Sequence, residues 1–205
     1  MSTDKIRRRL ENQLPAEIVC FLGELAMDLR VEKTEKAIRN AFLELRAKRP
    51  LEKISVKELC QLACINKSTF YAHYRDVYDL SDCLEGETVA SILDSLPRER
   101  EYSVQSVEQF TRDLCLAFAA HISLINILFS GKEQNRLSVY LEHSLKTVIF
   151  EKYPAFAADV EKNILLSYCI QGAYHAYVNN PNADTATLVD VIGTISRTLG
   201  PLWRV

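Results

Sequence analysis

Glycine and proline are scarce in this chain, six of each among 205 residues. That excludes a many-turned β protein and a low-complexity chain. No apolar run approaches the roughly 18 residues that a membrane span needs. Arg7–Arg9 is not followed by the clean apolar run and small-residue cleavage site of a secretory signal. There is no GxGxxG, Walker, His-Glu-x-x-His or GxSxG pattern, and the four histidines, His73, His121, His143 and His175, are widely separated. No catalytic residue, cofactor or membrane partner is therefore expected, and the chain reads as a cytoplasmic protein that is not an enzyme.

The six cysteines, Cys20, Cys60, Cys64, Cys83, Cys115 and Cys169, are dispersed through apolar helical patterns. Cys60 and Cys64 stand one helical turn apart, but no further Cys or His completes a zinc-like set, so no metal site is expected. Free thiols packed as small hydrophobes account for them. A cysteine-based redox sensor is the alternative.

Against these absences stands ample core material, with 48% hydrophobic residues. Its texture is helical throughout. Strand-like alternation is absent, and no internal repeat is found. The segment Ser55–Leu80 carries the most information. Ser55 and Glu58 form a Ser-x-x-Glu capping box that opens a helix. Val56, Leu59, Cys60 and Ala63 then share an apolar face. Asn66 is placed to cap a second helix that carries Lys67, Ser68, Thr69, Tyr71 and His73. Two short helices closed in this way leave one exposed face able to enter a DNA major groove.

Charge is distributed to match. Residues 33–75 hold ten basic and four acidic side chains, net +6, whereas residues 76–205 hold ten basic and seventeen acidic, net −7. An overall charge of −2 thus conceals a basic segment of the kind phosphate binding requires.

Residues Thr34–Leu80 resemble the DNA-binding domain of the TetR/AcrR family of transcriptional regulators. Ser68-Thr69-Phe70-Tyr71-Ala72-His73-Tyr74, followed by Asp76 and Leu80, carries the resemblance. The run Phe70–Leu80 and the later Phe129-Ser130-Gly131-Lys132 are most similar to the branch containing the dihydroxyacetone-kinase operon regulator. The family implies that Ser55, Lys67, Ser68, Thr69, Tyr71 and His73 touch phosphates or base edges, and that Phe70 packs inward. Lys57, Tyr74 and Arg75 complete the candidate DNA-binding set. Two residues depart from the family's pattern. Cys64 stands where many members have a turn glycine, and a positive φ there would cost it about 1 kcal/mol. Val77 stands where many members have a phosphate-contacting lysine, with Arg75 the nearest substitute.

The expected architecture is all-α. Residues 1–33 form an N-terminal extension, residues 34–82 the helix-turn-helix domain, and residues 83–205 a helical bundle for dimerisation and regulation. In the extension, Pro15 and Glu17 can start a short helix through Leu29, with Ile18, Phe21, Leu22 and Leu25 on its apolar face. Translation beginning at Met27 is an open alternative. A second helix runs from a Thr34 cap to about Lys48, with Ala37, Ile38, Ala41, Phe42 and Leu45 inward, and Pro50 breaks it. The helix after the reading helix runs from about Asp76 to Leu96, ending at Pro97 and the loop Arg98–Glu101. Val104, Val107, Phe110, Leu114 and Phe118 fit a further helix, and Leu137 to Ile149 another. The last two helices are expected at Ala155–Val178 and Asp184–Leu199, the latter ended by Gly200-Pro201.

Gly172, Ala173, Ala176, Gly193 and Ser196 would let those last two helices approach closely. They suit either a homodimer interface, as the family implies, or an ordinary intramolecular bundle. Phe110, His121, Tyr140, His143, Tyr168, Tyr174 and His175 are candidate contacts for an effector, a small molecule or a protein, though each also reads as core or surface. The expected function is a DNA-binding regulator, a repressor, acting on double-stranded operator DNA as a homodimer. A helical protein-interaction module without DNA binding is the other reading, supported by Cys64 and Val77.

Overall fold

A computed structural model of the chain describes residues 16–97, 106–130 and 134–203, with side chains described from Leu29 onward except at 134 and 135. Arg7–Arg9, Pro15, Arg98–Glu101, Val104, Gly131 and Lys132 lie outside the described residues, as do the side chains of Ile18, Phe21, Leu22 and Leu25. The described residues are helical without strands. They divide into two compact units, Met1–Val77 and Tyr78–Val205, a boundary five residues before the expected one.

The first unit opens with α1, Ala16–Arg46. Two helices were expected here, and the structure has one. Thr34 is not a cap. Its hydroxyl donates to the Arg30 carbonyl at 2.8 Å, a bond made inside a continuous helix. No proline interrupts the run. Arg39 holds Glu35 at 2.6 Å one turn away on the same helix. Pro50 then precedes a single 3₁₀ turn, Leu51–Lys53.

Helix α2 (Val56–Leu62) starts at the capping box read in the sequence: the Glu58 amide donates to Ser55 Oγ at 3.3 Å, and the Ser55 amide donates to Glu58 Oε2 at 3.4 Å. Arg49 reaches the same carboxylate at 2.9 Å. These hydrogen bonds, Ser55's first and Arg49's next, hold the Glu58 carboxyl below its ordinary range. The end of α2 is equally specific. The Ile65 amide donates to the Cys60 carbonyl at 3.0 Å and the Cys64 amide to Gln61 at 3.3 Å, the two bonds of a Schellman cap. Cys64 occupies the left-handed position of that cap, with φ of 55°. It is the single positive-φ residue other than glycine among the described residues.

Helix α3, Lys67–His73, follows at once. Asn66 takes the extended N-cap conformation, but its side chain makes no capping bond, so the turn is set by the backbone rather than by the expected cap. Ile38, Phe42, Leu51, Leu59 and Phe70 are fully buried in this unit. Ala37, in contrast to the rest of its stripe, is only half-buried.

The second unit begins along α4, Val77–Asp94. It continues with α5 (Val107–Ala120), α6 (Ile122–Leu128) and α7 (Gln134–Lys152). Then come α8 (Pro154–Ala158), α9 (Val160–Val178), α10 (Thr185–Leu199) and a closing 3₁₀ turn, Gly200–Trp203. Helices α5 and α6 meet at a 66° bend. No single helix among the described residues is long and apolar enough to cross a membrane. The expected helix from Ala155 is split, because Asp159 leaves the helical region and its carboxylate accepts the Lys162 amide at 3.0 Å, capping α9 afresh. Gly200 is right-handed, φ −48°, so α10 passes into a 3₁₀ turn rather than a left-handed stop.

Ala173, Ala176, Gly193 and Ser196 serve this unit's own packing, whereas Gly172 is exposed, with nothing within 4 Å of a Cβ placed there. Ala173 and Ala176 pack on Cys115, Val189 and Ile192. Gly193 is buried, and a Cβ there would come within 2.7 Å of Arg112 Nε. Arg112 in turn binds Asp190 at 2.9 Å and Glu108 at 3.0 Å, tying α5 to α10. Two polar networks tie α7 to its neighbours. Ser81 donates to the fully buried Glu85 at 2.7 Å, and Arg136 faces Glu85 at 3.5 Å while also binding Asp82. Glu142 accepts from Gln171 and Ser167, both at 2.7 Å, and pairs with Lys146 at 2.8 Å. Those partners, Gln171 first and then Lys146 and Ser167, lower the Glu142 carboxyl to about 2.

Two outcomes follow. Replacing Cys64 by Gly removes the left-handed penalty of about 1–2 kcal/mol but adds unfolded-chain entropy, so Cys64→Gly is expected to stabilise by about 0.5–1 kcal/mol in urea unfolding. Cys64→Ala should leave the midpoint unchanged. Glu142 has a depressed folded pKa, so its contribution is complete above the ordinary value of 4.5 and is lost as pH falls toward 2. Glu142→Gln should therefore cost about 2–3 kcal/mol at neutral pH, with the gap to the parent chain closing over that acidic window.

Candidate functional site

The candidate surface is built by the phase of α3. Phe70 and Tyr74, one turn apart, point inward, with Phe70 fully buried and Tyr74 only 6% exposed. Lys67, Ser68, Tyr71 and Ala72 therefore face outward, while Thr69 and His73 are half-buried at the edges. Tyr71 is 56% exposed, yet its ring stands edge-on to Phe70 with centroids 5.5 Å apart. The core thus holds an aromatic side chain in place on an open surface. Ser55, Lys57 and Arg75 are exposed as well. Ser55 has both its hydroxyl and its amide engaged by Glu58.

Tyr74 leaves the candidate set. Its ring packs 5.9 Å from Phe70, and its hydroxyl donates to Glu35 at 3.4 Å, tying α3 back to α1. The aromatic at this place is core because it lies one turn beyond Phe70. Val77 is buried and offers nothing to a phosphate. Ala72, by contrast, stands outside the candidate set but on the same open face. It lies exposed beside Tyr71 and Ser68, and its small side chain leaves room for close approach. Only the inward phase of Phe70 could have marked it.

The second unit encloses an apolar cavity of about 550 Å³, within the usual range for small-molecule sites. Of the candidate effector contacts, Phe110 and Tyr174 line it. The other five do not. His121 sits at the α5–α6 bend. A carbonyl can only accept, so His121 Nδ1–H donates to Ala117 at 2.8 Å, and Nε2 accepts from Ser91 Oγ at 3.1 Å. That makes His121 a structural tie to α4. Tyr140 accepts from Arg136 at 3.1 Å, away from the cavity. His143, Tyr168 and His175 are exposed on the outer faces of their helices. Helical spacing alone could not rank one face of α7 or α9 above another. The lining that was missed includes Leu114, Leu141, Ile170, Tyr177 and Trp203.

Cys115 and Cys169 also line the cavity. Burial pushes the Cys115 thiol up to about 11 and raises those of Cys169 and Cys60, which disfavours the reactive thiolate at all three. Among the described residues no group of three His, Cys, Asp or Glu side chains is placed to hold a metal ion.

This architecture, a helix-turn-helix unit followed by a helical bundle, is the fold of TetR/AcrR-family transcriptional regulators. The chain superposes on such a regulator from Aquifex aeolicus VF5 with a TM-score of 0.51 and 18% identity, covering 81% of this chain and 99% of that one. It is also 25% identical over 111 residues to the uncharacterized HTH-type transcriptional regulator YxbF of Bacillus subtilis. That match covers 54% of this chain and only 29% of the relative's length. No protein-family model matches the chain.

The phase of α3 makes a contrast that denaturation can check. Phe70→Ala should destabilise the chain by about 3–5 kcal/mol through the cavity it leaves. Tyr71→Ala, which removes an exposed ring, should change the urea midpoint by less than about 1 kcal/mol. Equal losses would mean that α3 is turned the other way.

Proposed function

We propose that the chain is a cytoplasmic, sequence-specific DNA-binding regulator, a repressor that acts as a homodimer and is controlled by an effector in its second unit. One observation carries this reading. Helix α3 buries Phe70 and Tyr74, and so turns Lys67, Ser68 and Tyr71 outward in the most basic segment of the sequence. A short helix so presented fits the major groove. Lys67 and Arg75 suit phosphates, and the Ser68, Thr69 and His73 side chains suit base edges and sugar. Lys57 and Ser55, at the start of α2, suit the flanking backbone.

Dimerisation has support from a different feature than the small residues first considered. Val160, Ile164 and Tyr168 recur at i, i+4 and i+8 on α9 and are 72%, 64% and 67% exposed. Val191 and Ile195, one turn apart on α10, are each 52% exposed. An exposed apolar stripe of this kind on two successive helices fits a self-complementary interface. An effector reading is supported by α4, a single helix whose first residue, Val77, belongs to the DNA-reading unit and whose last turn contributes Leu93 and Asp94 to the cavity wall. A ligand that binds one placement of α4 better than another would shift DNA affinity by that difference.

Fluorescence anisotropy with the chain's own upstream DNA and a scrambled duplex, across a salt series, tests this. Tight binding to the upstream duplex is expected, with two protomers per site and a steep salt slope. Lys67→Ala should flatten that slope by about one, and Tyr71→Ala should weaken the specific duplex more than the scrambled one. Ile164→Asp with Ile195→Asp should give monomers by sedimentation. Weak, equal binding to both duplexes would instead favour an interaction module, the reading to which the buried Val77 lends itself.

A further inference from the structure

The cavity of the second unit has two ends, and packing sets them far apart. At one end Val107, Ile149 and Tyr153 gather on Phe156, Leu166 and Trp203. At the other, Ala173 and Tyr177 gather on Cys115, and the rings of Tyr174 and Tyr177 meet Phe118 edge-on at 6.2 and 5.1 Å. Three helices carry the wall between them. Lining residues run from Val107 to Phe118 on α5, from Leu141 to Lys152 on α7 and from Leu166 to Tyr177 on α9. Each span is about three turns, or about 16 Å. Helices α7 and α9 lie side by side in opposite directions, since Glu142 meets Gln171 whereas Lys146, one turn on, meets Asn163. A volume of about 550 Å³ drawn out over about 16 Å makes a slot about 6–7 Å across, where a ball of that volume would measure about 10 Å.

The polar groups of the lining divide in the same way. Tyr153 and Lys152 belong to the first end, the Lys152 amine 5.9 Å from the Tyr153 ring centre. Lys152 and Val148, one turn back, are exposed, so the slot opens there. Asp94, the other charged residue of the lining, is exposed as well. The Tyr174 and Tyr177 hydroxyls belong to the far end, and burial pushes the Tyr174 phenol up, keeping it neutral. Between the ends stand Leu114, Leu145 and Ile170. The polar residues there are Thr111, whose hydroxyl donates to the Val107 carbonyl at 2.9 Å, and Cys169, whose thiol bonds weakly.

From this arrangement we infer that the cavity takes a slender, unbranched aliphatic molecule whose polar groups are confined to its ends. The inference rests on the effector reading above and gives that effector a shape and a chemical class. An extended chain advances about 1.2 Å per bond, so a molecule of about ten to twelve carbons spans the slot. The middle of the slot rewards only apolar surface. A polar group midway along the chain would lose its water and find little to bond. At either end a hydroxyl or carbonyl has tyrosines to meet, and a phenol can both donate and accept.

Calorimetry on the full chain without DNA tests this, with 1-hexanol, 1-octanol and 1-decanol as the linear probes. Affinity should rise about three- to fourfold with each added carbon. 5-Decanol, which carries the same hydroxyl in mid-chain, should bind about tenfold more weakly than 1-decanol. 1-Adamantanol, a globular alcohol with as many carbons, should bind at least as poorly as 5-decanol. Ala173→Phe plugs the far end. It should weaken 1-decanol by about tenfold or more and leave 1-hexanol within about twofold, a split that general destabilisation does not produce. If that variant does not fold, Ala173→Leu makes the same comparison. 5-Decanol or 1-adamantanol binding as tightly as 1-decanol, 1-hexanol and 1-decanol changing alike in the plugged chain, or no alcohol binding at all would overturn the inference. Because the titrations contain no DNA, any of those results leaves the anisotropy of the upstream duplex to judge the regulator reading separately.

Discussion

The inward seat of Phe70 is the constraint on which the helix-turn-helix unit depends. Helix α3 has only seven residues, too few to be stable on its own, so its existence rests on packing. Phe70 is fully buried, and Tyr74 follows one turn later with a hydroxyl bond to Glu35 on α1. Once those two side chains are inside, the outward set is no longer free to vary. Lys67, Ser68 and Tyr71 must face away from the core, and the ring of Tyr71 leans on the edge of Phe70. The same contact that stabilises the unit therefore orders the surface proposed to read DNA.

The turn before α3 departs from the usual chemistry of such turns without departing from its geometry. Cys64 adopts the left-handed conformation that glycine takes without a Cβ penalty. Both backbone bonds of the Schellman cap are nonetheless formed. The capping box at the other end of α2, with Arg49 added to Glu58, helps hold the turn in place. Strain at Cys64 is thus a local cost set against a well-capped short helix, and the direction in which α3 leaves α2 is preserved.

In the second unit, charge sits between helices rather than in the cavity. The Glu85–Arg136 pair joins α4 to α7, the Glu142 network joins α7 to α9, and Arg112 joins α5 to α10. Each joins charged or polar side chains of two helices, so another register would leave a charge unmatched. The cavity lies among apolar side chains, with Leu114, Phe118, Leu141 and Ile170 in its walls.

Local patterns were legible from the residues alone. The capping box, the helical spacing of Ile38, Ala41, Phe42 and Leu45 and the basic segment all depend on neighbours a few positions apart, whereas the inward Phe70 came from the family resemblance. What depends on distant partners was not. Thr34 reads as a cap until nothing is found to break the helix around it. Tyr74 reads as a DNA contact until Glu35, far away in sequence, claims its hydroxyl. Gly193 and Ser196 read as an interface until Arg112 and α5 fill the seam, and the exposed stripe at Val160, Ile164 and Tyr168 emerges only when Leu166 and Tyr174 have turned inward. His121 and Trp203 show the same division, since a helical period says that a side chain lies on a face but not which neighbour meets it. The sequence by itself determined that the described residues are helical and where α2 begins, because those follow from spacing and capping. The tertiary structure alone decided which polar groups are paired and which space is left open, because both depend on chain segments brought together only by packing.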